Sequence, residues 1–531
     1  MSKRINVLTA VFAALIGVMA LQSRADAVKP VVMAMTNAYE TLNPYGSSGN
    51  YTDIISDMIF DRLVINNIDG SVEPRLAQRY EVEKDKSGIT FFLNPNAAFH
   101  DGVPVTADDV IYSAHLNANP DFMSLKRSSM RYFAGTDDSG LEKGDSLGVV
   151  KLDSHTVKFN FKRPMNEGTI LTMFNRYFYV IPEHVYGKYT PQELSSGELW
   201  KRVMIGSGPL KYDSSIDGER VEFVANKDYY LGVPQCDRVI LRVVEGSQLL
   251  SGLLAGEIDL VAGAGIGSIP LSDWPAAVET EGIITYSGRT YSYQSMIMNT
   301  QSKKIPSAKM RYALSMAINR QLITDALIEG QASVMYGIFQ DYHPYYAKGL
   351  KEPVYNPEEA RRLLEEAGYD FNQTLDLIVP IGNEIRVQST VLIQQDLAAI
   401  GVKTQITQYD FATLMQKMRD GEFDLGMCGA AGAIDPSESF GWLNRKGPTN
   451  FPCLSDDTYI DMFNDALYET DEQLRHEKFA RIQAYELEDS PITYLYSQNA
   501  LMAYNSNRLS NLEPDKFGQL NWCIWKWNVK D

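Results

Sequence analysis

Hydrophobic and polar residues alternate over Thr90–Leu93, Thr156–Phe161 and Arg220–Val224, the two-residue period of half-buried strands. A helical period replaces it further on. Between Lys309 and Leu327, apolar residues recur as Ala313, Leu314, Ala317, Ile318, Ile323 and Leu327, which predicts one amphipathic helix. A second helix opens at Asn356-Pro357-Glu358-Glu359, with an N-cap Asn, a first-turn Pro and early acids, and Gly368 closes it. A third runs from Glu384 to Ile400 and stops at Gly401. Strand patterns at Leu375–Val379 and Val402–Ile406 alternate with these helices, so the second half reads as an α/β lobe with a largely parallel sheet. No repeat or low-complexity tract interrupts the pattern.

The first residues follow a different logic. Lys3 and Arg4 precede an apolar run, Val7 to Leu21, and Ala25-Asp26-Ala27 supplies the small-x-small pattern that signal peptidase requires. The run is shorter than the ~20 residues of a membrane span, and no Cys follows it to accept a lipid. A signal peptide over residues 1–27, cleaved after Ala27, is therefore expected, and with it a periplasmic location. The 531 residues, 44% of them hydrophobic, are enough for several domains with sizeable cores. The net charge of −18 repels phosphate backbones and anionic lipid, which argues against nucleic acid or a membrane surface as partner.

Export gives the four cysteines, Cys236, Cys428, Cys453 and Cys523, an oxidising setting in which disulfides form. Four cysteines permit three pairings, and spacing does not choose among them. No CxxC motif and no Cys/His cluster points to a metal, and no cofactor is implied. Hydrolase signatures are missing: there is no GxSxG elbow and no HExxH pair. Gly263-Ala264-Gly265-Ile266-Gly267 misses the dinucleotide fingerprint, because Ser268 stands at the last glycine position. His100 and Asp101 beside Asp108 and Asp109 imitate an acid/base cluster. They read better as a turn fixed by Gly102 and Pro104, followed by a helix capped at Thr106 whose acids sit at its positive end.

Several stretches, in order, resemble family 5 of the extracellular solute-binding proteins, the dipeptide-, oligopeptide- and nickel-binding group. They are Thr41-Leu42-Asn43-Pro44, Glu73-Pro74-Arg75-Leu76-Ala77 and Phe99-His100-Asp101-Gly102-Val103-Pro104-Val105-Thr106-Ala107-Asp108-Asp109-Val110, then Ile205-Gly206-Ser207-Gly208-Pro209 and Asn226-Lys227-Asp228-Tyr229-Tyr230. Ala255-Gly256-Glu257-Ile258-Asp259-Leu260, Arg311-Tyr312-Ala313-Leu314, Glu366-Ala367-Gly368-Tyr369, Gly421-Glu422-Phe423-Asp424 and Asp435-Pro436 continue the order. The resemblance implies an α/β, two-lobed periplasmic binding protein of type II (cluster C) with an additional family-specific domain and a hinge. By comparison, lobe I comprises 28–61, 186–289 and 505–531, the extra domain 62–185, and lobe II 290–504. It implies a monomeric, non-enzymatic component of an ABC importer that captures a small ligand by lobe closure and delivers it to the permease subunits. It also favours cysteine pairing within lobes, Cys428–Cys453 and Cys236–Cys523.

In peptide-binding relatives an Asp shortly before the Asp-Pro pair grips the ligand's amino terminus. Here Gly429-Ala430-Ala431-Gly432-Ala433-Ile434 precedes Asp435. The expected acid falls on Ala433 or Ile434, and Ala430 stands near the place of the usual Trp. The resemblance thus implies ligand contacts at Gly429, Ala430, Ala433 and Asp435 without that anchor. Arg176 and Arg386 are candidate forks for a ligand carboxylate. Tyr39, Tyr45, Tyr51, Tyr291, Tyr293 and Trp442 are candidate aromatic walls. Short peptides or peptide-like molecules rank first as ligands, metal chelates or other carboxylated metabolites second, and sugars third. A secreted hydrolase is the rival class, disfavoured by the missing signatures, and a receptor-linked sensor is a third possibility.

Overall fold

A computed structural model describes residues 29–531 apart from 48, 67–70, 145–146, 264–265, 441–442, 447–448, 513, 515–519, 521–522 and 531. The expected signal peptide and Trp442 lie outside the described residues. Three principal sheets organise the chain. The largest has seven strands in the order Ile283–Gly288, Ala500–Asn505, Leu260–Val261, Val31–Met35, Arg238–Val243, Arg220–Ala225 and Leu210–Ile216. At its centre Val31–Met35 runs parallel to both neighbours, and the remaining pairs are antiparallel.

A six-stranded sheet follows the order Ala332–Val334, Ile492–Gln498, Tyr293–Met298, Leu425–Ala430, Thr374–Pro380 and Lys403–Tyr409. Thr374–Pro380 is parallel to both of its neighbours. Tyr293–Met298 and the strands beyond it pair antiparallel, so the sheet is parallel in only half of its strands, where a largely parallel one was expected. The third sheet is fully antiparallel and has four strands: Ala77–Val82, Gly88–Leu93, Thr156–Asn160 and Val149–Asp153.

Strand periodicity decides what each sheet face buries. On Tyr293–Met298, Met296 and Met298 enter a core closed by Leu314, Ile318, Leu364 and Leu397 from the surrounding helices. Tyr293 and Ile297 enter a different core, continuous with that of the four-stranded sheet (Phe91, Phe159, Phe174). The seven-stranded sheet has its own main core around Met33, Phe223, Tyr45 and Trp200.

Helix boundaries follow the capping residues. Asn356 accepts from the Glu359 amide at 3.0 Å and Asn383 from that of Arg386 at 2.9 Å, opening the helices Pro357–Glu366 and Glu384–Ala399. The single helix expected over 309–327 is two, Ala308–Met316 and Arg320–Ile328. The Asn319 side chain caps the second by accepting from Leu322 N–H at 3.0 Å. The break also turns Arg320 inward, where its guanidinium donates to the carbonyls of Tyr494 and Ser315. Among the described residues no helix is long and apolar enough to cross a membrane.

Neither expected disulfide is present: Cys236, Cys428 and Cys453 are unbridged thiols. Cys428 lies opposite Ser295, whereas the Cys453 carbonyl accepts from Thr300, five residues further along. That is on the order of 15 Å of chain, against the 4.4–6.8 Å Cα spacing a disulfide allows. Cys236 and Cys523 share one core, but it is Trp525, two residues past Cys523, that packs against Tyr229 and the following turn. Burial pushes the Cys236 thiol up to about 11, which keeps it protonated.

Candidate functional site

The sheet registers place the two largest sheets with one kind of edge towards each other. In the seven-stranded sheet the parallel strands end at Met35, Val243 and Val261. Val261 pairs with Ala503 and Gly288 with Ala500, so Gly288 and Ala500 both lie at this carboxyl edge. In the six-stranded sheet the parallel strands end at Pro380, Tyr409 and Ala430. Ala430 pairs with Tyr293, and Gln294 with Tyr496, so Tyr293 and the end of the Ile492–Gln498 strand share that carboxyl edge. The two connections, 288–293 and 498–500, therefore join carboxyl edge to carboxyl edge. The crevice outside the carboxyl ends of parallel strands is where open α/β sheets bind ligands.

The wall on the seven-stranded side carries Tyr39 and Tyr51. Tyr51 accepts from the Asn37 amide at 2.8 Å and lies 3.0 Å from the Thr36 hydroxyl, just past the Val31–Met35 strand. Tyr39 donates to Asp217 at 2.9 Å, and burial pushes its phenol up to about 12. Tyr45 is not brought there. It is fully buried, donates to the Tyr179 carbonyl at 2.5 Å and meets Phe122 edge-on.

On the opposite wall Arg386 stands half-buried in the first turn of Glu384–Ala399, its Nε donating to Gln294 Oε1 at 2.8 Å. Gly429 makes this brace possible: a Cβ there would lie 2.7 Å from the Gln294 amide and 2.8 Å from the Tyr293 carbonyl. A Cβ at Gly432 would lie 2.1 Å from the Tyr291 carbonyl. The loop after Ala430 is thus drawn tight against 291–294, which explains its run of Gly and Ala. Ala433 is buried, and its carbonyl faces His343 Nε2 at 3.0 Å. Burial lowers His343 to about 4, so this ring is neutral. An acid at 433 would be buried beside an uncharged ring. Tyr291 and Tyr293 show little surface: Tyr291 packs on Tyr342 and His343, and Tyr293 on Tyr494.

Two candidates have other employment. Asp435 is bound by Arg475 through both carboxylate oxygens, at 3.1 and 3.0 Å, and by the Thr169 hydroxyl at 3.2 Å. Arg176 ends the Glu167–Arg176 helix, 5.6 Å over the Tyr177 ring, beside the Asn175 carbonyl that Arg62 binds. His100 is neutral, lowered to about 4 by burial. Its ring accepts from Gly206 N–H and lies 3.1 Å from the Gly208 carbonyl, a structural role. Among the described residues no group of three or more His, Cys, Asp or Glu is placed to hold a metal.

Sequence reasoning missed Gln294, and also Ile381 and Phe411, exposed apolar residues just past Pro380 and Tyr409 on the lip of the crevice. Exposed apolar residues directly after strand ends were the available signal. A cavity of about 830 Å³ at the opposite edge of the same sheet is lined by Asn299, Lys304, Asp376 and Asp424. Lys304 and Ser302 bind Asp424, and Asn299 binds the carbonyls of Gly421 and Phe423, so the polar lining is largely satisfied from within.

Comparison with known proteins agrees with this geometry. The family described as bacterial extracellular solute-binding proteins, family 5 Middle, matches over residues 71–451. The oligopeptide-binding protein AppA of Bacillus subtilis is 24% identical over 484 residues, covering 87% of this chain and 85% of that protein. The di/tripeptide-binding protein 1 of Pseudomonas aeruginosa is 26% identical over 468 residues, 84% of each. The crystal structure of the ABC transporter substrate-binding protein CtaP from Listeria monocytogenes superposes with a TM-score of 0.84 at 21% identity, covering 95% of this chain and 99% of that one.

Proposed function

This chain belongs to the bacterial extracellular solute-binding proteins, family 5, and from that premise we propose that it captures a short peptide or peptide-like solute for an ABC importer. The relatives named for oligopeptides and for di- and tripeptides support the ligand class. One observation carries the mode of binding. Arg386, braced by Gln294 at the amino terminus of a 16-residue helix, offers its charge to the crevice, while the loop expected to hold an acid is Gly and Ala. The ligand is held by its carboxylate rather than by its amino terminus, because a guanidinium fork and a helix amino terminus both favour an anion. Ile381 and Phe411 receive its apolar side chains.

The lobes close about the connections 288–293 and 498–500. One lobe comprises 28–61, 186–289 and the chain from Ala500 onward, five residues earlier than the expected 505 because the strand Ala500–Asn505 belongs to the seven-stranded sheet; the other comprises 290–499, and the extra domain 62–185. The protein acts as a monomeric binder and not as an enzyme, exported to the periplasm with cleavage after Ala27.

Calorimetric titration with di- to pentapeptides and their carboxy-terminal amides tests the reading. Free peptides should bind, and both amidation and Arg386→Ala should weaken them about 10- to 100-fold, the worth of a charge-assisted hydrogen bond. Amides binding as tightly as acids would refute carboxylate anchoring. No binding from either panel would refute the peptide reading.

A further inference from the structure

The four-stranded domain is tied covalently to the seven-stranded body at both of its ends, near residues 62 and 180. The six-stranded body is joined to the rest only through 288–293 and 498–500. A contact between the four-stranded domain and the six-stranded body therefore lies across any hinge motion that separates the lobes. One such contact is polar and buried at its centre. The amino-terminal turn of Glu167–Arg176 abuts the buried Asp435–Arg475 pair, whose side chains are 3% and 0% exposed. Arg475 donates to Thr169 Oγ1 at 2.8 Å and to Asn166 Oδ1 at 3.3 Å. Thr169 donates to Asp435 at 3.2 Å, and Asn166 Nδ2 to Glu472 at 2.7 Å. Gly168 leaves room for the carboxylate, since a Cβ there would lie 3.0 Å from Asp435 Oδ2. Lys86, on the same domain, donates to the Thr470 carbonyl.

We infer that this contact is a latch for lobe closure, with Thr169, Asn166 and Lys86 engaging Asp435, Arg475, Glu472 and Thr470 when the crevice shuts and releasing them when it opens. The ion pair itself is internal to the six-stranded body, because Asp435 and Arg475 both belong to it, so opening does not separate the two charges. Opening parts the apolar surface that the two bodies share and, with it, five hydrogen bonds that cross the hinge, each of them involving a charged group. The three bonds to Asp435 and Arg475 are buried, and the amino-terminal end of the Glu167–Arg176 helix lies beside the Asp435 carboxylate, which strengthens the contact without trapping the ions. Thr169, Asn166 and Lys86 are thus positioning residues for capture, and they touch no ligand.

The inference rests on the reading that the lobes close on a ligand, and its test reads lobe separation without ligand and peptide release with it. Small-angle X-ray scattering of the purified, ligand-free chain reads lobe separation directly. Thr169→Val and Thr169→Val/Glu472→Ala should raise the radius of gyration above that of the unsubstituted chain, with an unchanged circular dichroism spectrum. Thr169→Ser, which keeps the hydroxyl, should not. Peptides that bind the parent chain should leave the double variant roughly tenfold faster, as expected for about 1.4 kcal/mol of lost closure. Should the double variant lose its native spectrum, Lys86→Met, at the margin of the contact, gives the same reading. A scattering curve and a peptide dissociation rate both unchanged from the parent, whatever the melting temperature does, overturn the latch and make the contact a permanent strut. A failed peptide titration with an expanded variant refutes the ligand class and leaves the latch standing.

Discussion

Two arginines of the six-stranded body, Arg475 and Arg386, face opposite demands. Arg475 is fully buried, bound to both oxygens of Asp435, and lies over the rings of Tyr345 and Phe479 at 5.0 and 5.2 Å. Arg386 is half-buried, and its bonded partner is a neutral amide, Gln294. Among the described residues no acid lies within ion-pair distance of it. A guanidinium removed from water must have its N–H groups satisfied where it stands, and Arg475 spends its charge on Asp435 as well, so it belongs to the structure. One left at a crevice with only an orienting amide keeps its charge for a visitor. The contrast separates a residue that builds the site from one that serves it.

The largest effect should come from breaking the committed pair. Arg475→Met leaves Asp435 buried beside Thr169 without its cation, and urea unfolding should show a loss of about 3–5 kcal/mol. Adding Asp435→Leu should recover much of that loss, because replacing both charges by apolar groups is often neutral. Arg386→Ala, in contrast, should change stability by less than about 0.5 kcal/mol while weakening ligand binding about 10- to 100-fold. Equal stability losses at the two sites would erase the distinction drawn between them. Between these extremes lies Gly429→Ala. Its Cβ would collide with the Gln294 side chain and the Tyr293 carbonyl, so about 1–3 kcal/mol of stability should go, together with the aim of Arg386.

The same contrast explains what the sequence disclosed. Elements bounded by local chemistry were legible: Asn356 announces its helix, and Gly368 and Gly401 end theirs with φ of +75° and +85°. The break at Ala317–Asn319 was not, because the apolar spacing continues through it and only the inward turn of Arg320 reveals two helices. Arg386 stood out as a charge near a glycine, yet its brace Gln294 lies 92 residues away. Asp435 was legible as part of a motif, but its employment was not, since Arg475 and Thr169 reach it from 40 and 266 residues away. The cysteine pairs failed for a related reason. Membership of one lobe does not bring two Cβ atoms within bonding distance.

A buried acid without a cation supplies the smallest test of the contrast. Glu486 is as buried as Asp435, but its bonded partner is the Tyr494 hydroxyl, which donates to Oε1 at 2.7 Å, and Oε2 has no partner among the described residues. Desolvation dominates there and pushes this carboxyl up to about 8. It is therefore protonated in the folded chain across neutral pH, whereas in the unfolded chain it ionises near its ordinary value. The sign follows from the raised folded pKa. Stability associated with this group is complete below about pH 4.5, declines as pH rises, and levels off above about 8. Glu486→Gln keeps the shape and an acceptor for Tyr494 while removing the titration, so the melting temperature of the variant should fall less steeply than that of the parent between pH 5 and 8. Asp61, raised to about 6 by burial, adds a smaller slope of the same sign that the substitution leaves in place. Parallel melting curves for variant and parent over that interval would mean that Glu486 is ionised in the fold. An uncompensated charge would then be as tolerable in this core as the paired one at Asp435, and the difference between committed and available charge would lose its physical basis.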